Sequence, residues 1–193
     1  MSVADETIAR EYFETSGFLV RQLCKYQVQS RKKRADEELD FAVYNPTAKG
    51  GASVNFAMGA EDLKQVRCAV VSIKAWHTSL FTPALIKNTR DLFNFLKKPS
   101  LKLAEEIFPE SGGDIKKIMV IPGLASAAKL RRECIEILKQ NGVTGVLSYP
   151  AMLQTLADSI EVNNNYAKSE LLQTLRILKN YGMIKSAQLE LFK

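Results

Sequence analysis

The chain has 193 residues, 46% hydrophobic and 25% charged, which suits one soluble domain with a single buried core. Three cysteines without CxxC spacing and one histidine exclude a disulfide framework and a zinc site, and a Ser/His/Asp triad would depend on His77 alone. The net charge of +6 is modest, but Arg31, Lys32, Lys33 and Arg34 are consecutive, a run that reads either as a solvated loop or as a phosphate-binding surface.

In chain order, residues 3–15 space Ile8, Tyr12 and Thr15 at helical intervals, with Asp5 and Glu6 in the first turn where the helix dipole favours acids. Ser16-Gly17 ends that helix, and FLVRQLCKYQV (18–28) is β-branched and aromatic-rich, a predicted strand. ELDFAVYNP (38–46) alternates, placing Leu39, Phe41 and Val43 on one face and Asp40, Ala42 and Tyr44 on the other. Residues 47–63 are rich in glycine and alanine and read as loop. QVRCAVVSIKAW (65–76) is the longest strand-like run and is predicted central. Residues 83–98 carry a helical stripe that Pro99 is expected to stop.

Strands at 116–124 and 145–150 then alternate with helices at 127–142 and 151–161, and a final helix covers 169–182. In that last helix Leu171, Leu172, Leu175 and Leu178 form a broad apolar face, which favours packing over DNA reading in a helix-turn-helix. The predicted fold class is α/β, a mixed central sheet flanked by helices on both faces. One domain spans 1–193, with residues 1–125 as its core and 126–193 as an αβαα extension packed on it.

The charge in SIKAW (72–76) needs a partner. Ser72 and Lys74 share a strand face, and a neighbouring strand carrying Asp40 would bring acid and ammonium within a few ångströms. An aspartate, a lysine and a further carboxylate around one point can hold a hard divalent cation and an attacking water. Trp76 and Tyr44 read as packing groups or as base-stacking platforms, and His77 as a core or helix-start residue or as a proton shuttle.

This arrangement resembles the PD-(D/E)XK, or restriction-endonuclease-like, nuclease superfamily, whose core is an αβββαβ unit. The likeness rests on Glu6 or Glu11 in the first helix, GFLVRQ, Glu38-Leu39-Asp40 and Ser72-Ile73-Lys74-Ala75-Trp76. It implies Mg²⁺- or Mn²⁺-dependent cleavage of DNA. In that scheme Asp40 holds the metal, Glu6 or Glu11 completes or orients its shell, and Lys74 positions the water. Ser72 stands where a second metal-binding carboxylate is expected, and Asp91 on the following helix is the candidate replacement ligand. The run Arg31, Lys32, Lys33 and Arg34 would grip the phosphate backbone. The alternative is a nuclease-fold protein that binds nucleic acid or acts in assembly without catalysis. The resemblance also allows a homodimer. A doubly wound small-molecule enzyme has no glycine-rich phosphate fingerprint to support it. Unpaired thiols and the absence of a long apolar run or a secretory leader predict a cytoplasmic location away from membranes.

Overall fold

The computed structural model describes residues 2–23, 39–51 and 53–184. The basic run 31–34, the predicted strand extension 24–28 and the tail 185–193 lie outside the described residues. In chain order the elements are α1 (Val3–Thr15), β1 (Leu19–Gln22), β2 (Phe41–Tyr44), α2 (Ala60–Leu63), β3 (Cys68–Ile73), α3 (Pro83–Asn88), a 3₁₀ helix (Arg90–Leu96), α4 (Lys98–Ile107), a 3₁₀ turn (Pro109–Ser111), β4 (Ile115–Ile121), α5 (Ala128–Gln140), β5 (Gly145–Ser148), α6 (Tyr149–Ser159) and α7 (Glu170–Asn180). The five strands form an open mixed sheet in the order β1-β2-β3-β4-β5. The first two pairings are antiparallel, with Val20 opposite Val43 and Val43 opposite Ala69, and the last two are parallel, with Val71 beside Ile118 and Val120 beside Leu147.

All six residues of β3 are buried, as expected for a central strand covered on both faces. On one face α1, α6 and α7 pack Ala9, Phe13, Met152, Leu156, Leu172 and Leu175 over Val43, Ala69 and Val71. On the other, α3, the 3₁₀ helix, α4 and α5 pack Ile86, Leu92, Phe95, Ala104, Cys134 and Leu138 against Val70, Met119 and Ile121. Burying a Phe or Leu side chain contributes roughly 1.5–3 kcal/mol, so both faces are needed to hold a sheet of this width. Among the described residues no helix is long and apolar enough to cross a membrane.

Local chemistry explains where the elements begin. At the start of α1, Ser2 Oγ accepts from Asp5 N and Asp5 Oδ2 accepts from Ser2 N, a reciprocal capping box. Pro99 does not end a helix. It occupies the first turn of α4, where its missing N–H has no intrahelical acceptor to lose, and the predicted 83–98 helix divides into α3 and the 3₁₀ helix. Residues 56–58, predicted as loop, run along the free edge of β5, with Met58 N donating to Val146 O at 2.9 Å and Val146 N to Phe56 O at 2.7 Å. A Cβ at position 145 would overlap Met58 Sδ, so glycine there lets the strap lie close to the strand. Leu130 on α5 is exposed.

The last helix packs as its apolar face predicts, and its cations are used internally. Lys179 Nζ donates to Ile160 O at 2.7 Å beyond the end of α6, and Arg176 Nε donates to Val162 O at 2.7 Å. Both side chains tie α7 to the chain that leaves α6, satisfying carbonyls at a helix end.

Candidate functional site

β3, β4 and β5 run parallel, so their carboxyl ends open on one edge of the sheet, and antiparallel β2 begins at the same edge. Asp40 precedes β2, Lys74 follows β3 and Tyr149 follows β5. In open α/β sheets this edge is where ligands bind, because the loops leaving the strands diverge there.

Asp40 sits at a break in strand alternation. Leu39 packs into the second core face and Phe41 into the first, although residues two apart in a regular strand share a side. Asp40 N donates at 3.0 Å to Val71 O, the carbonyl of the residue paired with Phe41. The extra residue turns the chain, and the predicted common face for Leu39, Phe41 and Val43 fails at this point for that reason. The freed carboxylate then takes the place of the next ladder acceptor, with Ile73 N donating to Asp40 Oδ2 at 2.6 Å. Lys74 N continues the β3-β4 pairing by donating to Val120 O at 2.8 Å, which holds the lysine at the mouth of this end.

Asp40 is partly buried, and its carboxyl is pushed up to about 6. Burial is the main cause, and the negative charge of Glu6 adds to it. The Ile73 N–H and the Lys74 ammonium pull the other way without cancelling that effect. Glu6 comes from α1 and is held by Gln22 at the end of β1, whose Nε2 donates to Glu6 Oε2 at 2.5 Å. Asp40, Glu6 and Lys74 therefore act electrostatically on one region, drawn from three separate elements.

The other predicted residues lie elsewhere. Glu11 faces α7, where Ser169 Oγ donates to Glu11 Oε1 at 2.7 Å while capping that helix by accepting from Leu172 N. Asp91 is exposed on the 3₁₀ helix, which packs on the second core face, and Asn94 Nδ2 lies 3.5 Å from its Oδ1. Ser72 lies between Val71 and Ile73 and so faces the second side. It is fully buried, and its Oγ has no hydrogen-bond partner. The charges meeting Asp40 from α1 lie on the first side. Arg31, Lys32, Lys33 and Arg34 fall outside the described residues.

Three further residues join the cluster. Asp5 Oδ1 meets His77 Nε2 at 2.8 Å. Burial alone would raise the Asp5 carboxyl, but the bonds to His77 and Ser2 outweigh it and hold the carboxyl below its ordinary value. An ionised carboxylate only accepts, so His77 Nε2 carries the proton. The imidazole packs edge-on to Tyr149, with ring centroids 4.6 Å apart. The Tyr149 hydroxyl is buried without a hydrogen-bond partner, and burial together with the charges of Asp5, Asp40 and Glu6 raises its pKa.

Among the described residues no group of three His, Cys, Asp or Glu side chains is gathered to hold a metal ion. Asp40 and Glu6 offer two carboxylates. That donor set suits a hard cation such as Mg²⁺, which binds through one or two carboxylates and takes its remaining oxygens from water and substrate phosphate. The enclosed Asp40 carboxyl, with Glu6 nearby, is the kind of acidic pair that a cation relieves. No family model matches this chain, and no curated protein or solved structure matches it either.

Proposed function

We propose that the chain hydrolyses DNA phosphodiester bonds with the help of Mg²⁺ or Mn²⁺, using Asp40, Glu6 and Lys74. The observation that carries this reading is the Asp40 carboxyl, raised to about 6 at the sheet edge with a lysine and a second acid acting on it. Acids perturbed by burial with a specific charge partner cluster at sites of chemistry. Asp40 and Glu6 would hold the cation, which when bound supplies positive charge against the phosphate. Lys74 would stabilise the deprotonated water and the charge that develops on the phosphoryl oxygens. Ile73 N and Gln22 Nε2 fix the two carboxylates, so little reorganisation is needed during reaction. Glu11 and Asp91 have no part in this scheme.

A second reading, nucleic-acid binding without cleavage on the same scaffold, is favoured by Ser72. It stands where the resemblance expects a carboxylate, and its hydroxyl is enclosed and unpaired.

A plasmid-nicking assay with Mg²⁺ or Mn²⁺ decides between them. The first reading expects the wild type to nick supercoiled DNA and Asp40→Ala and Lys74→Ala to lose on the order of 100-fold. Intact plasmid that is still bound supports the second. Cleavage that survives both substitutions overturns the assigned site.

A further inference from the structure

Trp76 is the chain's single tryptophan and lies two residues beyond Lys74. Its indole stacks on Phe81, with ring centroids 5.4 Å apart and planes 18° from parallel. Phe81 is completely buried, whereas Trp76 is 37% exposed, so the stack has one partner in the core and one that reaches solvent. The platform is fixed from below. Phe81 N donates to Gly123 O at 2.9 Å, Ala125 N donates to Phe81 O at 3.0 Å, and Cys134 Sγ lies 3.2 Å from the same carbonyl. The turn above is fixed as well, with Trp76 N donating to Lys74 O and Ser79 N to Trp76 O, both at 3.0 Å.

A rigid aromatic face two residues along the chain from a lysine, at the sheet end that carries Asp40, has a specific complement. We propose that Trp76 stacks an unpaired base of the DNA strand whose phosphate lies at Lys74, so the substrate is unpaired at the contact point, in a single strand or in a locally unwound stretch of supercoiled DNA. This assignment rests on the functional reading above, since it takes the phosphate to be held by Lys74. Two residues of extended chain span at most about 7 Å, so base and phosphate contacts fall within the reach of neighbouring nucleotides. In duplex DNA each base face is covered by its stacked neighbours, and only an unstacked base can offer its π-face to the indole. Because the indole is already held against Phe81, little side-chain entropy remains to be lost on stacking.

The single tryptophan makes the contact directly readable. Fluorescein-labelled dodecathymidylate and a duplex of equal length are titrated in EDTA, with anisotropy reporting binding and tryptophan emission reporting stacking. The single strand is expected to quench the emission and the duplex to leave it largely unchanged. Trp76→Leu keeps an apolar cover over Phe81 without a π-face and is expected to weaken dodecathymidylate binding about tenfold, while Trp76→Phe keeps most of the affinity. Thermal melting of both variants checks that they are folded. Single-strand binding with unchanged emission, wild-type affinity in Trp76→Leu, or no binding at all overturns the proposal. Quenching without Mg²⁺-dependent nicking removes the proposed cleavage and leaves the base contact standing. Nicking without quenching does the reverse.

Discussion

The two ends of the sheet carry similar residues under opposite conditions. At the amino end of the parallel strands, Asp114 is fully engaged: Lys116 Nζ lies 2.7 Å from its Oδ1 and Gly51 N donates to its Oδ2 at 2.8 Å. The Lys116 bond first, and then the Gly51 bond, hold its carboxyl below the ordinary value. That end also has a cavity of about 290 Å³ lined by Tyr44, Arg67, Cys68 and Phe108, the kind of hollow usually taken first as a binding site. At the carboxyl end Asp40 is raised to about 6, and the Tyr149 hydroxyl is buried without a partner. The cavity and the perturbed chemistry are thus at opposite edges. Space alone is a weaker guide than a carboxyl held away from its ordinary value, because perturbed acids cluster where chemistry is done.

The largest test of this contrast is the pH dependence of stability. In the unfolded chain Asp40 titrates near the ordinary 3.8, and in the folded protein it titrates at about 6. Below both values the group is protonated in either state and its stabilising contribution is fully present. As pH rises through this window the unfolded chain releases its proton first, and the contribution is lost. A displacement from 3.8 to about 6 corresponds to about 3 kcal/mol. Guanidinium denaturation should therefore find Asp40→Asn close to wild type near pH 4 and more stable near pH 7.5, by up to that amount. Asp114→Asn should do the opposite in sign, losing stability near neutral pH and nothing in acid, because its folded carboxyl is lowered. An Asp40→Asn protein that is less stable at pH 7.5 would mean that the ionised carboxylate is structural, and the contrast between the two ends would disappear.

How far this contrast could be read from the chain depends on the range of the interactions. The helices and the mixed sheet come from local periodicity, and α1, β3, α5 and α7 are legible because each has a core-facing pattern of its own. Asp40 and Lys74 stand out as charges within apolar runs. The break at Leu39–Phe41 could not be seen, since it arises from Asp40 N reaching Val71 O across the sheet. Tyr149 falls within the strand that the sequence predicts at 145–150. Ser148 followed by Pro150 is a helix-start signal, and it puts the tyrosine in the first turn of α6, against His77. Asp5 and His77 are 72 positions apart and have no local mark of their association. Glu6 and Glu11 look alike in sequence, and only tertiary packing separates them: Gln22 of β1 holds Glu6 at the sheet end, and Ser169 at the start of α7 holds Glu11.

That division within α1 gives the next test. Ser169→Ala removes the cap of α7 and the hydroxyl bound to Glu11, and should cost about 1–2 kcal/mol in denaturant unfolding. The loss should not alter any response of the carboxyl end to a cation. If it does, α7 and Asp40 are coupled and Glu11 belongs with the site after all.

The smallest effect expected is that of the cation itself on the folded protein. A ligand present at ten times its dissociation constant stabilises by about 1.4 kcal/mol, which in a domain of this size is a rise of a few degrees in Tm. Millimolar MgCl₂ should give such a rise in the wild type if the proposed site holds the cation, because Asp40 and Glu6 would offer it a pair of carboxylates only in the folded chain. Asp40→Asn should abolish the rise and Asp114→Asn should preserve it, since Asp114 already has Lys116 as its counter-ion. Sodium chloride at equal ionic strength separates specific binding from screening, which would act on every variant alike. An equal rise in the wild type and Asp40→Asn would move the cation away from the carboxyl end, and Asp40 would remain a buried acid raised by its surroundings with no metal to relieve it.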